Sequence, residues 1–170
     1  MKVLRNYKDT MRLRTMRRRR NEGKTDYKLR KGLLSSKIPR IVVRRTNKYF
    51  ICQVVESNEA QDKVVTGVTS RDLIKLGWDV KLNGSLKSIP VGYLTGLLLA
   101  KKIGKGKFIM DLGMTRTITG SRVFSVVKGL IDGGLKIPAN NKAFPNEERI
   151  SGEHLKPEVK KMIAKVRGKI

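Results

Sequence analysis

The longest run of like charge in this 170-residue sequence is four consecutive arginines near the N-terminus. Guanidinium groups match phosphate oxygens and stack on bases better than lysine ammonium groups do. A membrane-surface patch would need an apolar helix face beside the charges, and only scattered methionines and leucines are available. The run therefore favours phosphate binding, with a solvated run of charge and a localisation signal as the alternatives. Its members are Arg17, Arg18, Arg19 and Arg20.

A second basic cluster lies in a segment that alternates as a β-hairpin does. In residues 40–46, alternation places Ile41 and Val43 on the more apolar face, which we expect on the core. The opposite face, together with the following turn, predicts a basic and partly aromatic platform suited to phosphates and unstacked bases. Charge protection of an edge strand is the alternative explanation. The platform residues are Arg40, Arg44, Lys48 and Tyr49.

A third candidate is the hydroxyl-rich, glycine-punctuated loop at residues 113–122, which joins a predicted strand to a predicted helix. Backbone N–H groups and the helix dipole favour anions at such a helix start, and Arg116 and Arg122 flank the loop. It is not a phosphate-binding P-loop, because no Gly-Lys-Ser/Thr ending is present. An ordinary capped connection between strand and helix is the alternative.

Residues for catalysis are scarce. His154 is the single histidine and lies in a polar segment, while Cys52 sits in a predicted strand where a buried, inert thiol is expected. Asp111 ends a predicted strand without an evident second carboxylate, and Glu147 and Glu148 suit a surface ion-pair network better than a metal site. We therefore expect no catalytic residue, no metal and no cofactor. The alternative to a non-catalytic binding protein is an RNA-processing enzyme, which would need a carboxylate cluster or a histidine pair.

The overall composition points to a polyanionic partner. The chain has 39 Lys and Arg against 14 Asp and Glu, a formal net charge of +25, and self-repulsion on this scale opposes compaction unless a polyanion neutralises it. One cysteine excludes an internal disulfide, and no apolar run approaches the roughly 20 residues that span a bilayer. We expect no membrane segment and no small-molecule substrate. The second alternative function is that of a general polyanion or membrane-surface binder.

The elements that must position these residues follow from periodicity and turn signals. Three short strands in succession predict an antiparallel meander, after which helices and one strand alternate. Predicted strands cover residues 40–46, 49–56, 63–69 and 108–112. Predicted helices cover about residues 26–35, 71–76 with Ser70 as cap, 88–103, 119–130 and 157–166.

The sequence therefore predicts an α/β fold with a mixed sheet, in which an antiparallel meander is followed by αβα and helices pack on the sheet. A basic N-terminal arm precedes this domain and a polar C-terminal tail follows it. The predicted boundaries are an RNA-binding arm at residues 1–24, a mixed α/β RNA-binding domain at residues 25–138 and a C-terminal extension at residues 139–170.

Several strings of residues, in order along the chain, resemble the universal large-subunit ribosomal protein eighteen family in its archaeal form. One such string would be weak evidence, but many in the same order are strong evidence. They are Met16-Arg-Arg-Arg-Arg, Thr25-Asp-Tyr, Pro39-Arg-Ile-Val-Val-Arg-Arg-Thr-Asn-Lys-Tyr, Gly77-Trp, Val91-Gly-Tyr-Leu-Thr-Gly-Leu-Leu, Asp111-Leu-Gly-Met, Thr119-Gly-Ser-Arg-Val-Phe, Gly129-Leu-Ile-Asp-Gly-Gly-Leu-Lys-Ile-Pro and Phe144-Pro-Asn-Glu-Glu-Arg-Ile.

The resemblance implies a non-enzymatic structural protein that binds 5S ribosomal RNA and helps attach it to 23S ribosomal RNA in the central protuberance. It also implies a neighbouring 5S-binding ribosomal protein as a partner, and a cytoplasmic location in the ribosome. By resemblance, RNA contact is expected at Arg17, Arg18, Arg19, Arg20, Tyr27, Arg40, Arg44, Arg45, Asn47, Lys48, Tyr49, Thr119 and Arg122. We add the neighbouring basic residues Arg12, Arg14, Lys24 and Arg116 to this set.

Overall fold

The computed structural model describes residues 16–170, in which helices and strands follow the predicted order. The strands are β1 (Arg40–Arg45), β2 (Phe50–Asn58), β3 (Gln61–Thr69) and β4 (Ile109–Asp111). The helices are α1 (Arg18–Asn21), α2 (Tyr27–Ser35), α3 (Asp72–Lys75), α4 (Ile89–Ile103), α5 (Arg122–Asp132), α6 (Glu147–Ser151) and α7 (Pro157–Arg167), with 3₁₀ turns at Val80–Ser85 and Asn141–Ala143.

The strands of the described chain form one sheet in the order β3-β2-β1-β4. β1, β2 and β3 pair antiparallel, whereas β4 pairs parallel to β1, so the predicted mixed sheet is confirmed. A parallel pair needs a crossover connection, and here the chain passes through α3 and α4 before it returns as β4. The loop that follows β4 therefore begins beside the middle of β1.

One core lies between the sheet and the helix pair α4 and α5. Ile41 and Val43 are fully buried, as the alternation of β1 predicted, and they share a cluster with Val126 and Leu130 of α5. Glycines let the two helices approach closely, because a Cβ at Gly96 would lie 2.3 Å from the carbonyl oxygen of Val126. No side chain fits at that distance, so this crossing depends on glycine.

A second core contains the C-terminal segment that composition described as a polar tail. The predicted helix at residues 157–166 is confirmed as α7, and it buries Val159, Ile163 and Val166. These side chains pack in one cluster with Trp78 and Leu94. Their spacing of three and four residues is that of an amphipathic helix, and the many lysines on its other face lowered the average hydropathy of the segment.

Two predicted boundaries differ from the structure. The helix expected from residue 119 begins at Arg122, because Gly120 has a φ of +68° that a helix cannot contain, and Ser121 is extended at the N-cap position. The expected cap Ser70 does not cap α3. It is fully buried, and its hydroxyl accepts from the Phe50 N–H and donates to the Leu86 carbonyl oxygen.

Candidate RNA-binding interface

Apart from Arg44, the described residues that are expected to contact RNA fall at the two ends of β1. We call the first group the arm end, which comprises residues 16–40 and the tip of the β2–β3 hairpin at residues 56–62. We call the second group the turn end, which comprises residues 45–49, 71, 84–87 and 115–122. β1 extends from Arg40 to Arg45, so at about 3.4 Å per residue the two ends lie about 17 Å apart along the strand.

At the arm end, the arginine run forms the single helical turn α1, and neighbouring side chains engage most of it. The Arg17 guanidinium lies 4.7 Å from the ring centroid of Tyr27, and Arg19 Nε donates to Thr25 Oγ1 over 3.0 Å. Arg18 lies 3.5 Å from Glu22, which also binds Lys24 Nζ over 2.8 Å. Glu22 therefore compensates two of the cations that were expected to contact RNA.

Glu22 does not reach Arg20, the last residue of the run. Arg20 is exposed and has no ion pair with another described residue, and it borders the same concave surface as Arg17, Tyr27 and Lys31. That concavity has a volume of about 890 Å³. Within the described chain, the available positive charge of this end is therefore concentrated around Tyr27.

Asp62 is the centre of an ion-pair network behind this surface. Its Oδ2 accepts from Arg30 Nη1 of α2 over 2.8 Å, and its Oδ1 lies 2.7 Å from Arg40 Nη2 of β1. Partial burial would raise the pKa of Asp62, but hydrogen bonds from Arg30, Ser57 and Arg40 outweigh it and lower the pKa from 3.8 to about 2. The network ties α2 to the sheet.

Arg40 is the clearest departure from the expected platform. Its side chain is only 4% exposed and is paired with Asp62. Its Nη1 also lies 3.9 Å from Asp111 Oδ2. Its Nε and Nη1 atoms are buried without a hydrogen-bond partner among the described residues. The prediction of an open basic platform that includes Arg40 is therefore wrong, because Ser57 of β2 and Asp62 of β3 engage its guanidinium at that end of the sheet.

Arg44 is also held by the protein. Its Nη1 donates to the Asp111 carbonyl oxygen over 2.7 Å and its Nη2 lies 2.9 Å from Asp111 Oδ1. The same Oδ1 accepts from the Gly113 N–H over 2.9 Å. Asp111, for which the sequence offered no second carboxylate, thus joins β1 to β4 and sets the start of the loop that follows.

The turn end presents its cations without acidic partners. Arg45, Arg116 and Arg122 are exposed, form no ion pair with any described residue and line one concavity of about 570 Å³. Ser121 lines it too, and its Oγ is buried without a hydrogen-bond partner in the described part of the chain. The arrangement offers three guanidinium groups to one anionic ligand, as the sequence of the loop suggested.

A second concavity of the turn end adjoins the β1–β2 connection. The Arg71 guanidinium lies 4.4 Å from the ring centroid of Tyr49, and Lys48 and Lys87 stand at the rim of a cavity of about 650 Å³. Its apolar lining comes from Ile74 and Leu86. The turn itself is closed by Thr46, whose Oγ1 accepts from the Tyr49 N–H over 3.0 Å.

Not all expected residues are brought together. Asn47 and Thr119 are exposed at the turn end, where Asn47 lines the cavity of Tyr49. Arg12 and Arg14, and with them residues 1–15 of the predicted arm, lie outside the described residues.

Sequence reasoning missed four cations that line these concavities, namely Arg30, Lys31, Arg71 and Lys87. The strand register contained a signal for one of them. Ile51 of β2 pairs with Thr69 of β3, so two residues beyond this pair Tyr49 and Arg71 must be neighbours. The predicted meander would have placed them together if its register had been worked out.

Other kinds of site receive no support within residues 16–170. No group of three His, Cys, Asp or Glu side chains among these residues could hold a metal ion. None of the helices described there is long and apolar enough to cross a membrane. Cys52 is buried, and burial raises the pKa of its thiol to about 12, so the thiol stays protonated.

Comparison with known proteins agrees with the resemblance. The family of ribosomal large-subunit proteins 60S L5 and 50S L18 matches residues 11–107 and 104–140. The chain belongs to this family. Over 141 residues, 81% of this chain, it is 43% identical to large ribosomal subunit protein uL18 of Methanoregula boonei, of which 79% is covered. The uL18 proteins of Korarchaeum cryptofilum and Methanoculleus marisnigri are likewise 43% identical, with 70% and 78% of those chains covered.

Membership of this family decides the broad function. The chain is an archaeal-type uL18 family member and a ribosomal RNA-binding structural protein of the large ribosomal subunit. The recognition made from the sequence strings is confirmed.

Proposed function

We propose that this uL18 family member binds 5S ribosomal RNA and helps attach it to 23S ribosomal RNA in the central protuberance of cytoplasmic ribosomes. It contacts a neighbouring 5S-binding ribosomal protein there and has no catalytic role. The RNA is held by Arg17, Arg20 and Tyr27 at the arm end, and by Arg45, Lys48, Tyr49, Arg116, Thr119 and Arg122 at the turn end.

The observation that carries this proposal is the concentration of uncompensated arginine around two concave surfaces of a family member. At the turn end three guanidinium groups share one concavity without an acidic partner among the described residues. Guanidinium groups bind phosphate in two-pronged fashion, and half-buried Tyr27 and Tyr49 offer faces on which unpaired bases stack. These are the two contact types that structured RNA with loops requires.

Arg40 and Arg44 enter the proposal in a different role from the one expected at first. The Arg40 guanidinium is paired with Asp62 and the Arg44 guanidinium with Asp111. Both arginines therefore hold the strands of the interface in position. Arg18 and Lys24 pair with Glu22, but both are more than half exposed, and such surface ion pairs contribute only about 0 to 1 kcal/mol. These two cations can therefore exchange Glu22 for a phosphate.

Competition binding at one fixed salt concentration tests the proposal. The full chain is offered 5S ribosomal RNA, an unrelated folded RNA of equal length and anionic vesicles. We expect the 5S RNA to compete at least tenfold better than either alternative. Equal competition by all three would show a general polyanion binder, and metal-dependent cleavage of the RNA that is lost in Asp111→Asn would show an RNA-processing enzyme.

A further inference from the structure

The cavity between Tyr49, Arg71 and Lys87 has features that general phosphate binding does not require. Its lining combines an apolar floor, from Ile74 and the buried Leu86, with a stacked guanidinium and aromatic ring on one wall. A surface that only attracts phosphate needs cations and no apolar floor. The cavity of about 650 Å³ lies within the size range of small-molecule sites.

Three chain segments form this cavity, and one buried hydroxyl joins them. Ser70 is fully buried, accepts from the Phe50 N–H over 3.1 Å and donates to the Leu86 carbonyl oxygen over 2.9 Å. Tyr49, Arg71 and Lys87 are the direct chain neighbours of these three residues. The backbone segments that carry Tyr49, Arg71 and Lys87 are therefore held together before any ligand arrives, which lowers the ordering cost of ligand binding.

The charges of the cavity specify the sign of its ligand. Lys48, Arg71 and Lys87 are exposed and form no ion pair with any residue that the structure describes. The Arg71 guanidinium lies over the Tyr49 ring, 4.4 Å from its centroid, and the Arg71 side chain is exposed, so a second planar group can approach it. A nucleotide meets this requirement, because its planar base carries a phosphate on a short sugar linker.

We propose that this cavity binds one unpaired nucleotide of the RNA, with its base stacked on Arg71 over Tyr49 and its phosphates against Lys48 and Lys87. The inference deepens the proposed function and rests on it, since it names the part of the RNA that this surface recognises. Arg71 is the specificity-determining residue, and Ser70 is a positioning residue that acts through the three segments it joins.

The test compares two RNAs and two kinds of substitution. The full chain and its variants are titrated with 5S RNA and with a fully paired RNA duplex of equal length that has no unpaired nucleotide. Arg71→Lys keeps the positive charge and removes the planar stacking surface. We expect it to weaken binding to 5S RNA roughly tenfold, within the range measured for loss of one stacked base, and to change duplex binding less than twofold.

Further variants separate stacking from charge. Tyr49→Leu removes the ring beneath the Arg71 guanidinium and should match the loss in Arg71→Lys. Exposed Arg149 lies outside both ends and has no ion pair among the described residues, so Arg149→Lys is the matched control and should leave both affinities unchanged. Unchanged thermal unfolding of each variant confirms that the fold is retained.

Two results overturn the nucleotide site. One is wild-type 5S affinity in Arg71→Lys, and the other is an equal loss of affinity for 5S RNA and for the duplex. If the wild-type chain binds both RNAs equally, the proposed function fails instead. The affinity of the wild-type chain and of Arg71→Lys for single-stranded hexauridine then tests the cavity. On that probe Arg71→Lys must still lose roughly tenfold in affinity, and equal binding by wild type and variant overturns the site.

Discussion

The arm end carries ten lysines and arginines and the turn end six, and the two ends differ in what those cations contact. At the arm end Arg18, Arg30 and Arg40 bind Glu22 or Asp62. At the turn end Arg45, Arg116 and Arg122 have no acidic partner within residues 16–170. Net charge therefore does not identify the residues available to RNA. The positions of a few carboxylates decide which cations are paired within the fold and which have no acidic partner among the described residues.

The largest expected effect is on stability and belongs to the arm end. Asp62→Ala leaves the Arg40 guanidinium, 4% exposed, without its closest carboxylate and also releases Arg30. Uncompensated buried charge is costly, so we expect the free energy of unfolding to fall by about 3 kcal/mol in urea titrations of the full chain. Glu153→Ala removes an exposed carboxylate that has no ion pair with another described residue and serves as the control. Equal stability of the two variants would contradict the assignment of Asp62 as the centre of the network.

Arg44→Ala should lower both the stability and the RNA affinity of the chain, and its loss of stability should be smaller than that of Asp62→Ala. Removing the guanidinium breaks its contacts with Asp111 and loosens the pairing of β1 with β4. We expect about 1.5 kcal/mol less stability, together with weaker RNA binding through the loop at residues 113–121. Chemical unfolding and RNA titration measured on the same preparation check both parts. A loss of RNA affinity at unchanged stability would mean that Arg44 contacts RNA directly.

The pH dependence of stability sharpens the role of Asp62. The pKa of Asp62 is lowered to about 2 in the folded chain, so the unfolded chain takes up this proton first as the pH falls from about 4. Its stabilising contribution is complete above pH 4 and is lost between about pH 4 and pH 2. After allowance for partial solvent exposure, we expect wild type to lose about 1 kcal/mol more than Asp62→Asn across this window. Parallel pH curves for the two proteins would contradict the network.

The smallest expected effect on stability lies at the turn end. Arg45→Gln removes an exposed cation with no ion pair among the described residues, so unfolding in urea should change by less than about 0.5 kcal/mol. A clear loss of stability would show that the turn end resembles the arm end and would remove the contrast between them.

The sheet and the long helices were predictable because their patterns are local. Period-two alternation placed Ile41 and Val43 on the core, and the apolar stripe after Pro90 predicted a helix at residues 88–103, which the structure has as α4 at Ile89–Ile103. The burial of Arg40 was not predictable from β1 alone. Its partner Asp62 comes from a different strand, and only the register of β2 with β3 brings that carboxylate over the start of β1.

The same distinction between local sequence patterns and pairing across the sheet applies to the candidate site. Residues such as Arg116 and Arg122, which follow a strand and flank a helix start, were found from local sequence and are exposed as expected. Arg71 was missed because it precedes a short helix and its importance depends on Tyr49, a residue 22 positions earlier in the chain. Pairings across the sheet create this part of the site, and composition does not report them.

The salt dependence of RNA affinity tests the account most directly. Each phosphate contact releases counterions, so the slope of log affinity against log salt counts the cations that meet phosphate. We expect the triple variant Arg45→Gln, Arg116→Gln, Arg122→Gln to reduce the slope magnitude for 5S RNA by about 2 to 3, with unchanged stability. The control triple of exposed cations, Lys105→Gln, Arg149→Gln and Lys160→Gln, should leave it unchanged. Equal slopes for wild type and the turn-end triple would contradict the claim that its uncompensated arginines bind the RNA.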